Sequence, residues 1–165
     1  MSEVQRNHSL TFRPAGPEDI MFINKLMREG KAYWGYSEEG VERFMQSYAI
    51  PDGGYFDTNF GFVAEMDHDA VGFYLFTSEA YLDYFLLSTR FIGRGYGRLL
   101  WEHCVQQAQQ KGWEAFTFVS DPYARGFYER MGATTIGEMP MVTLPGCMAP
   151  KMQFTLAEMP HSGHG

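Results

Sequence analysis

Apolar positions along this chain recur with two periods, and the switches between them mark its elements. Residues 8–13 alternate and predict a strand. Gly16-Pro17-Glu18-Asp19 then opens a helix, with proline early and acids in the first turn. Ile20, Ile23 and Met27 give that helix one apolar face. Ser37 is suited to cap a second helix running to about Ala49. Pro51-Asp52-Gly53-Gly54 reads as a turn. Residues 59–66 and 70–77 are extended runs about Asp67-His68-Asp69, a hairpin with His68 exposed at its tip. Residues 80–88 follow as a strand that is apolar on both faces apart from Asp83. From 95 to 111 the period returns to that of a helix, with Leu100, Trp101, Cys104, Val105 and Ala108 in one stripe and Gly112 to end it. His103 lies beside this stripe and reads as structural. Residues 113–120 form a strand, Asp121-Pro122 starts a helix ended by Gly132, and 133–143 and 151–156 are two closing strands.

The order β α α β β β α β α β β predicts an α/β (α+β) fold, a mixed sheet with helices on both faces. At 165 residues the chain suits one domain with a sizeable core, spanning 1–165 with a frayed tail at 158–165. A composition of 45% hydrophobic and 20% charged residues is that of a globular protein. The apolar runs are too short to span a bilayer, so no membrane role is expected. Residues 1–10 lack the apolar core of a secretory signal. Cys104 and Cys147 do not make a disulfide framework, and a reducing cytoplasm is the simplest compartment. Homodimerisation is left open. The net charge of −7 argues against nucleic acid, where Lys and Arg must neutralise phosphates, and weakly favours a cationic or amine substrate.

The strand at 80–88 runs into Thr89-Arg90-Phe91-Ile92-Gly93-Arg94-Gly95-Tyr96-Gly97-Arg98 and then into a helix. Gly93, Gly95 and Gly97 allow a tight turn, and the amides from Gly93 to Arg98 can then face outward at a helix mouth. Unpaired amides and the helix dipole favour anionic oxygens there, with Arg94 and Arg98 adding positive charge. The turn is thus a seat for a phosphate or pyrophosphate, or else a plain connection. The spacing is G-x-G-x-G, neither the dinucleotide G-x-G-x-x-G nor a Walker loop.

Asp83 needs a partner, because a carboxylate inside a sheet costs several kcal/mol, on the order of the penalty for burying charge. It is either a general base for an incoming ammonium or a carboxylate held by a neighbouring tyrosine or backbone group. Glu65 and Glu79 lie near strand ends and are weaker candidates. The cluster Tyr33-Trp34-Gly35-Tyr36 between two helices is either loop packing or a ligand wall. No His/Cys/Asp/Glu cluster has metal-ligand spacing, and no G-x-S-x-G elbow is present.

The glycine turn resembles motif A of the GNAT N-acetyltransferase superfamily, Q/R-x-x-G-x-G/A, with Ile92 standing where Gln or Arg is usual. Arg13-Pro14-Ala15 followed by Asp19 is similar to that family's first strand–helix junction, R-x-A-x-x-x-D. Asp121-Pro122-Tyr123-Ala124-Arg125-Gly126-Phe127-Tyr128-Glu129-Arg130-Met131-Gly132-Ala133 is similar to motif B, N-x-x-A-x-x-F/L-Y-x-x-x-G-F, with Asp121 in place of Asn. The resemblance spans nearly the whole chain. It implies a GNAT-like, mostly antiparallel twisted sheet and acetyl-CoA as the acyl donor. It also implies a small amine or peptide acceptor. Amides at 93–98 would bind the pyrophosphate, Asp121 the pantetheine arm, and backbone groups of Phe85, Leu86 and Leu87 the arm and thioester in a gap between splayed strands. Tyr128 would protonate the departing thiolate, or else packs in the core. Asp121 also reads as an N-cap before proline. The runner-up is an acyl-CoA-binding sensor or interaction module without turnover.

Overall fold

The computed structural model describes residues 10–157. Four strands form one antiparallel sheet in the order β1 (Thr11–Pro14), β2 (Asn59–Met66), β3 (Asp69–Thr77), β4 (Leu82–Leu87). Three more form a second antiparallel sheet, β5 (Ala115–Val119), β7 (Met148–Thr155), β6 (Thr134–Pro140), in that spatial order. The helices are α1 (Ile20–Tyr33), α2 (Glu38–Tyr48), α3 (Tyr96–Gln110) and the short α4 (Arg125–Arg130).

Local chemistry accounts for most of these elements. Ser37 caps α2, its hydroxyl accepting from the Gly40 amide. The β2–β3 loop is the two residues Asp67 and His68, both at positive φ (51° and 69°), the backbone of a type I′ turn. Before α1, Asp19 is buried, accepts two hydrogen bonds from the Arg13 guanidinium (2.7 and 3.0 Å), and takes the Gly16 amide at 2.9 Å. That pair clamps β1 to the start of α1.

The run Val71 to Phe76 is apolar at every position except Gly72 because β3 is covered on both faces. Phe73 and Leu75 join Val63, Ile23, Met27, Val41 and Met45 beneath α1 and α2. Tyr74 and Phe76 face the other way, into a core with Leu100, Trp101, Cys104, Phe116, Phe118 and Met152 beneath α3. Alternate residues of one strand thus feed two cores, and helices sit on both faces as the element order predicts.

The sheet is not continuous. β4 and β5 run parallel and are joined by a bridge at Tyr81 and Thr117, with the Thr117 amide donating to Ala80 at 3.2 Å. Beyond it the two strands part, so the mixed sheet divides into two sheets meeting at a wedge, the gap between splayed strands that the motif resemblance implied. Other departures are local. A 3₁₀ segment, Gly53–Asp57, replaces the plain turn after α2. The helix from Asp121 is a 3₁₀ turn, Pro122–Ala124, followed by α4. β6 ends at Pro140, three residues early, and β7 starts at Met148. The first residues of the predicted opening strand and the tail at 158–165 lie outside the described residues.

Candidate active site

The wedge opens into a cleft of about 720 Å³ lined from β4, the glycine turn, α1, β5, α4 and the β6–β7 connection. At one end lies the turn. Gly93 and Gly95 sit at φ 81° and 87°, conformations that side chains with a Cβ rarely adopt, and no atom lies within 4 Å of where a Cβ would be. Gly95 caps α3 without a side chain, so the amides of the helix's first turn are left open toward the cleft end. Gly97 is needed for packing: a Cβ there would meet the Phe127 ring at 3.1 Å and Leu87 at 3.5 Å. Gly93, Gly95, Gly97, Ile92 and Arg98 line the cleft, joined by Arg130 from the end of α4. Two predicted groups lie elsewhere. Arg94 is exposed but outside the lining, and the Tyr96 side chain packs on Phe91 and donates to Met66 Sδ. Only their backbone remains at the turn.

Phe85, Leu86 and Leu87 form one wall, Val119, Ser120 and Asp121 the other. Asp121 caps the 3₁₀ turn, its Oδ1 accepting from the Tyr123 amide at 2.9 Å. The same oxygen accepts from the Tyr36 hydroxyl at 3.2 Å, and Oδ2 pairs with Lys31 Nζ at 2.7 Å. Both carboxylate oxygens are therefore held by protein groups. The N-cap reading describes this side chain, and Lys31 is a partner that the sequence pattern did not single out.

Tyr33 and Trp34 line the cleft, with Trp34 stacked on Tyr123 (5.5 Å between centroids, 11° between planes). Tyr36 is not in the lining; its ring packs on Tyr123 behind the wall and its hydroxyl is spent on Asp121. The aromatic cluster thus divides between cleft wall and structural support.

Tyr128 reaches the cleft from a packed site among Phe118, Trp101, Phe85 and Phe127. Burial, with smaller contributions from Cys104 and Asp121, pushes its phenol well above the usual range, so it stays a neutral O–H donor. Asp83 also lines the cleft, and its Oδ2 accepts from the Tyr55 hydroxyl at 2.7 Å. Burial raises the Asp83 pKa, and the Tyr55 hydrogen bond pulls part of that shift back. Tyr48, Tyr81, Tyr84 and Phe44 surround this end. Tyr55 was not foreseen, since Gly53-Gly54-Tyr55 gave only a turn signal. The β6–β7 segment at 139–143, tied to α2 by Arg43 bonds to the carbonyls of Val142 and Thr143, was likewise read as strand rather than wall.

His103 is structural: its Nδ1 lies 2.7 Å from the Tyr74 hydroxyl, its ring stacks on Phe12, and burial lowers its pKa. Cys104 is buried and Cys147 exposed, and both are free thiols. Among the described residues no group of three His, Cys, Asp or Glu side chains is arranged to hold a metal, and no helix is long and apolar enough to cross a membrane.

No curated protein sequence matches the chain. Solved structures do. A GCN5-related N-acetyltransferase from Rhodopseudomonas palustris superposes with a TM-score of 0.73 at 19% identity, over 90% of this chain and 96% of that one. The PaiA N-acetyltransferase from Thermoplasma acidophilum, in complex with coenzyme A, gives 0.73 at 15% identity, over 89% and 99%. Spermidine N-acetyltransferase from Vibrio cholerae, in complex with CoA and spermine, gives 0.64 at 17% identity, over 90% and 96%. The family model described as an acetyltransferase (GNAT) domain matches residues 35–156, from the aromatic cluster through the glycine turn to the last strand. With well over half its length matched and the fold shared with these solved structures, this chain belongs to the GNAT family of acetyl-CoA-dependent acetyltransferases.

Proposed function

We propose that this enzyme moves an acetyl group from acetyl-CoA to the primary amine of a small molecule or peptide. The observation that carries the reading is one continuous cleft, with the open amides of α3 at one end and Asp83 at the other.

The residues present fit the acyl donor. The glycine turn leaves room and unpaired N–H groups for a pyrophosphate, and Arg98 and Arg130 supply charge on the rim. β4 is the edge strand at the wedge, so the backbone groups of the 85–87 stretch that are not turned toward β3 are free for a pantetheine arm and the acetyl carbonyl. Acetyl-CoA supplies the activated thioester. Asp83 takes the proton released as the amine nitrogen bonds the acetyl carbon. Its raised pKa makes it a better proton acceptor than an ordinary aspartate. Tyr128 donates its O–H to the sulfur as the carbon–sulfur bond breaks, while the apolar packing around it keeps water away. A sensor without turnover has no need of a buried carboxylate in the cleft, which favours the enzyme.

The test is incubation of the purified chain with acetyl-CoA and single amines, following thiol release and product mass together. Amine-dependent thiol release with a product heavier by one acetyl group is expected. Coenzyme A binding with no amine-dependent release from any acceptor class would leave only the sensor.

A further inference from the structure

The charges and rings of the cleft restrict the acceptor further, and this step rests on the proposed acetyl transfer. Among the described residues lining the cleft, the acids are Asp83 and Asp121 and the bases are Lys31, Arg98 and Arg130. Lys31 and Asp121 cancel each other at 2.7 Å, with their side chains only 16% and 9% exposed. Arg98 and Arg130 lie beside the glycine turn and Phe127, at the donor end. Asp83 is left as the carboxylate of the cleft without a cationic partner, so it can accept a single ammonium.

What surrounds it is aromatic. Phe44, Tyr48, Tyr81 and Tyr84 line the same end. The hydroxyl of Tyr84 is spent on the Tyr48 carbonyl at 2.6 Å and that of Tyr55 on Asp83. Tyr84 and Phe44 therefore offer ring carbon to the cleft, with the Phe44 ring already facing Lys31 Nζ at 4.6 Å. A second ammonium held among these rings would lose water with no free carboxylate to meet it, which disfavours it. An α-carboxylate would find no free base near Asp83. Rings accommodate one cation and an apolar body well. The 720 Å³ must also admit the pantetheine arm, which keeps that body small.

We infer that the acceptor is a small arylalkyl monoamine, one ammonium on a short stem with a single aromatic body, rather than a polyamine or an amino acid.

The experiment measures kcat/KM for 2-phenylethylamine, n-butylamine, spermidine and L-phenylalanine at fixed acetyl-CoA, with acetyl-CoA binding checked by calorimetry. We expect 2-phenylethylamine to exceed spermidine and L-phenylalanine by at least about tenfold, the effect of roughly 1.4 kcal/mol. Tyr84→Ala should lower kcat/KM for 2-phenylethylamine more than for n-butylamine, which a merely destabilised enzyme would not do. Spermidine or L-phenylalanine matching 2-phenylethylamine overturns the inference and leaves acetyl transfer standing. Acetyl-CoA binding with none of the four acetylated overturns the inference too, and the wider amine screen then decides between acetyl transfer and the sensor. Failure to bind acetyl-CoA removes the proposed function itself, and the inference with it.

Discussion

In the proposed transfer Asp83 would serve the amine and Tyr128 the departing sulfur, and each has a packing role that mutation must separate from chemistry. Tyr128→Phe keeps the ring among Phe118, Trp101 and Phe85 and removes one O–H. We predict that kcat falls by roughly 10²- to 10⁴-fold, the span for a positioned acid, while coenzyme A affinity hardly changes. Near-normal kcat with chemistry rate-limiting would reduce Tyr128 to a core residue. Tyr55 touches the site through its hydrogen bond to Asp83. Its hydrogen bond lowers the Asp83 pKa against the rise from burial, so Tyr55→Phe should raise that pKa. Asp83 works as a base only above its pKa. The acidic limb of kcat/KM should therefore move to higher pH in Tyr55→Phe, and an unmoved limb would separate Asp83 from proton transfer. Asp83 was legible in the sequence as a carboxylate in an apolar strand. Tyr55 was not, because its contact is made across 28 positions by the connection that carries α2 back to β2. The Lys31–Asp121 pair spans 90 positions and was hidden for the same reason.

At the scale of elements, local signals were strong wherever one residue type satisfies backbone groups. Ser37 before α2, the left-handed Asp67-His68 turn and the glycines before α3 all lie where the pattern put them. Segments were misjudged where tertiary contacts set the ends. The strand read at 133–143 stops at Pro140, and the residues after it bend to meet Arg43 on α2. The β1–α1 junction offers a stability test. Burial opposes ionised Asp19, but the Arg13 hydrogen bonds, the Gly16 amide and the Arg13 charge outweigh it and lower its pKa. Asp19→Asn should cost about 1–3 kcal/mol at neutral pH, the range for orphaning buried hydrogen-bonding groups. A lowered folded-state pKa means this stabilisation is full above the ordinary aspartate range and is lost as pH falls through the folded value. Urea midpoints of the two proteins should then converge in acid. A constant gap down to pH 3 would show that Asp19 acts through packing alone.

For the molecule as a whole, β3 feeds two cores and β4 parts from β5, and these two facts make the site. The first was readable, since only a strand covered on both faces keeps an apolar run such as Phe73-Tyr74-Leu75-Phe76. The split was expected only through the motif resemblance; no periodicity encodes where two parallel strands stop pairing. The wedge matters because it leads from the open amides of α3 to Asp83, and the proposed transfer requires the glycine turn to be the donor's seat. The most direct test is calorimetric titration of coenzyme A into the wild-type chain, Gly95→Ala and Gly95→Asp. Both variants strain a backbone held at φ 87°, but only the aspartate adds negative charge where pyrophosphate would lie. Gly95→Asp, with its circular dichroism intact, should bind coenzyme A at least about tenfold more weakly than Gly95→Ala, as loss of one charge-assisted contact implies. Equal affinities for the two folded variants would contradict it.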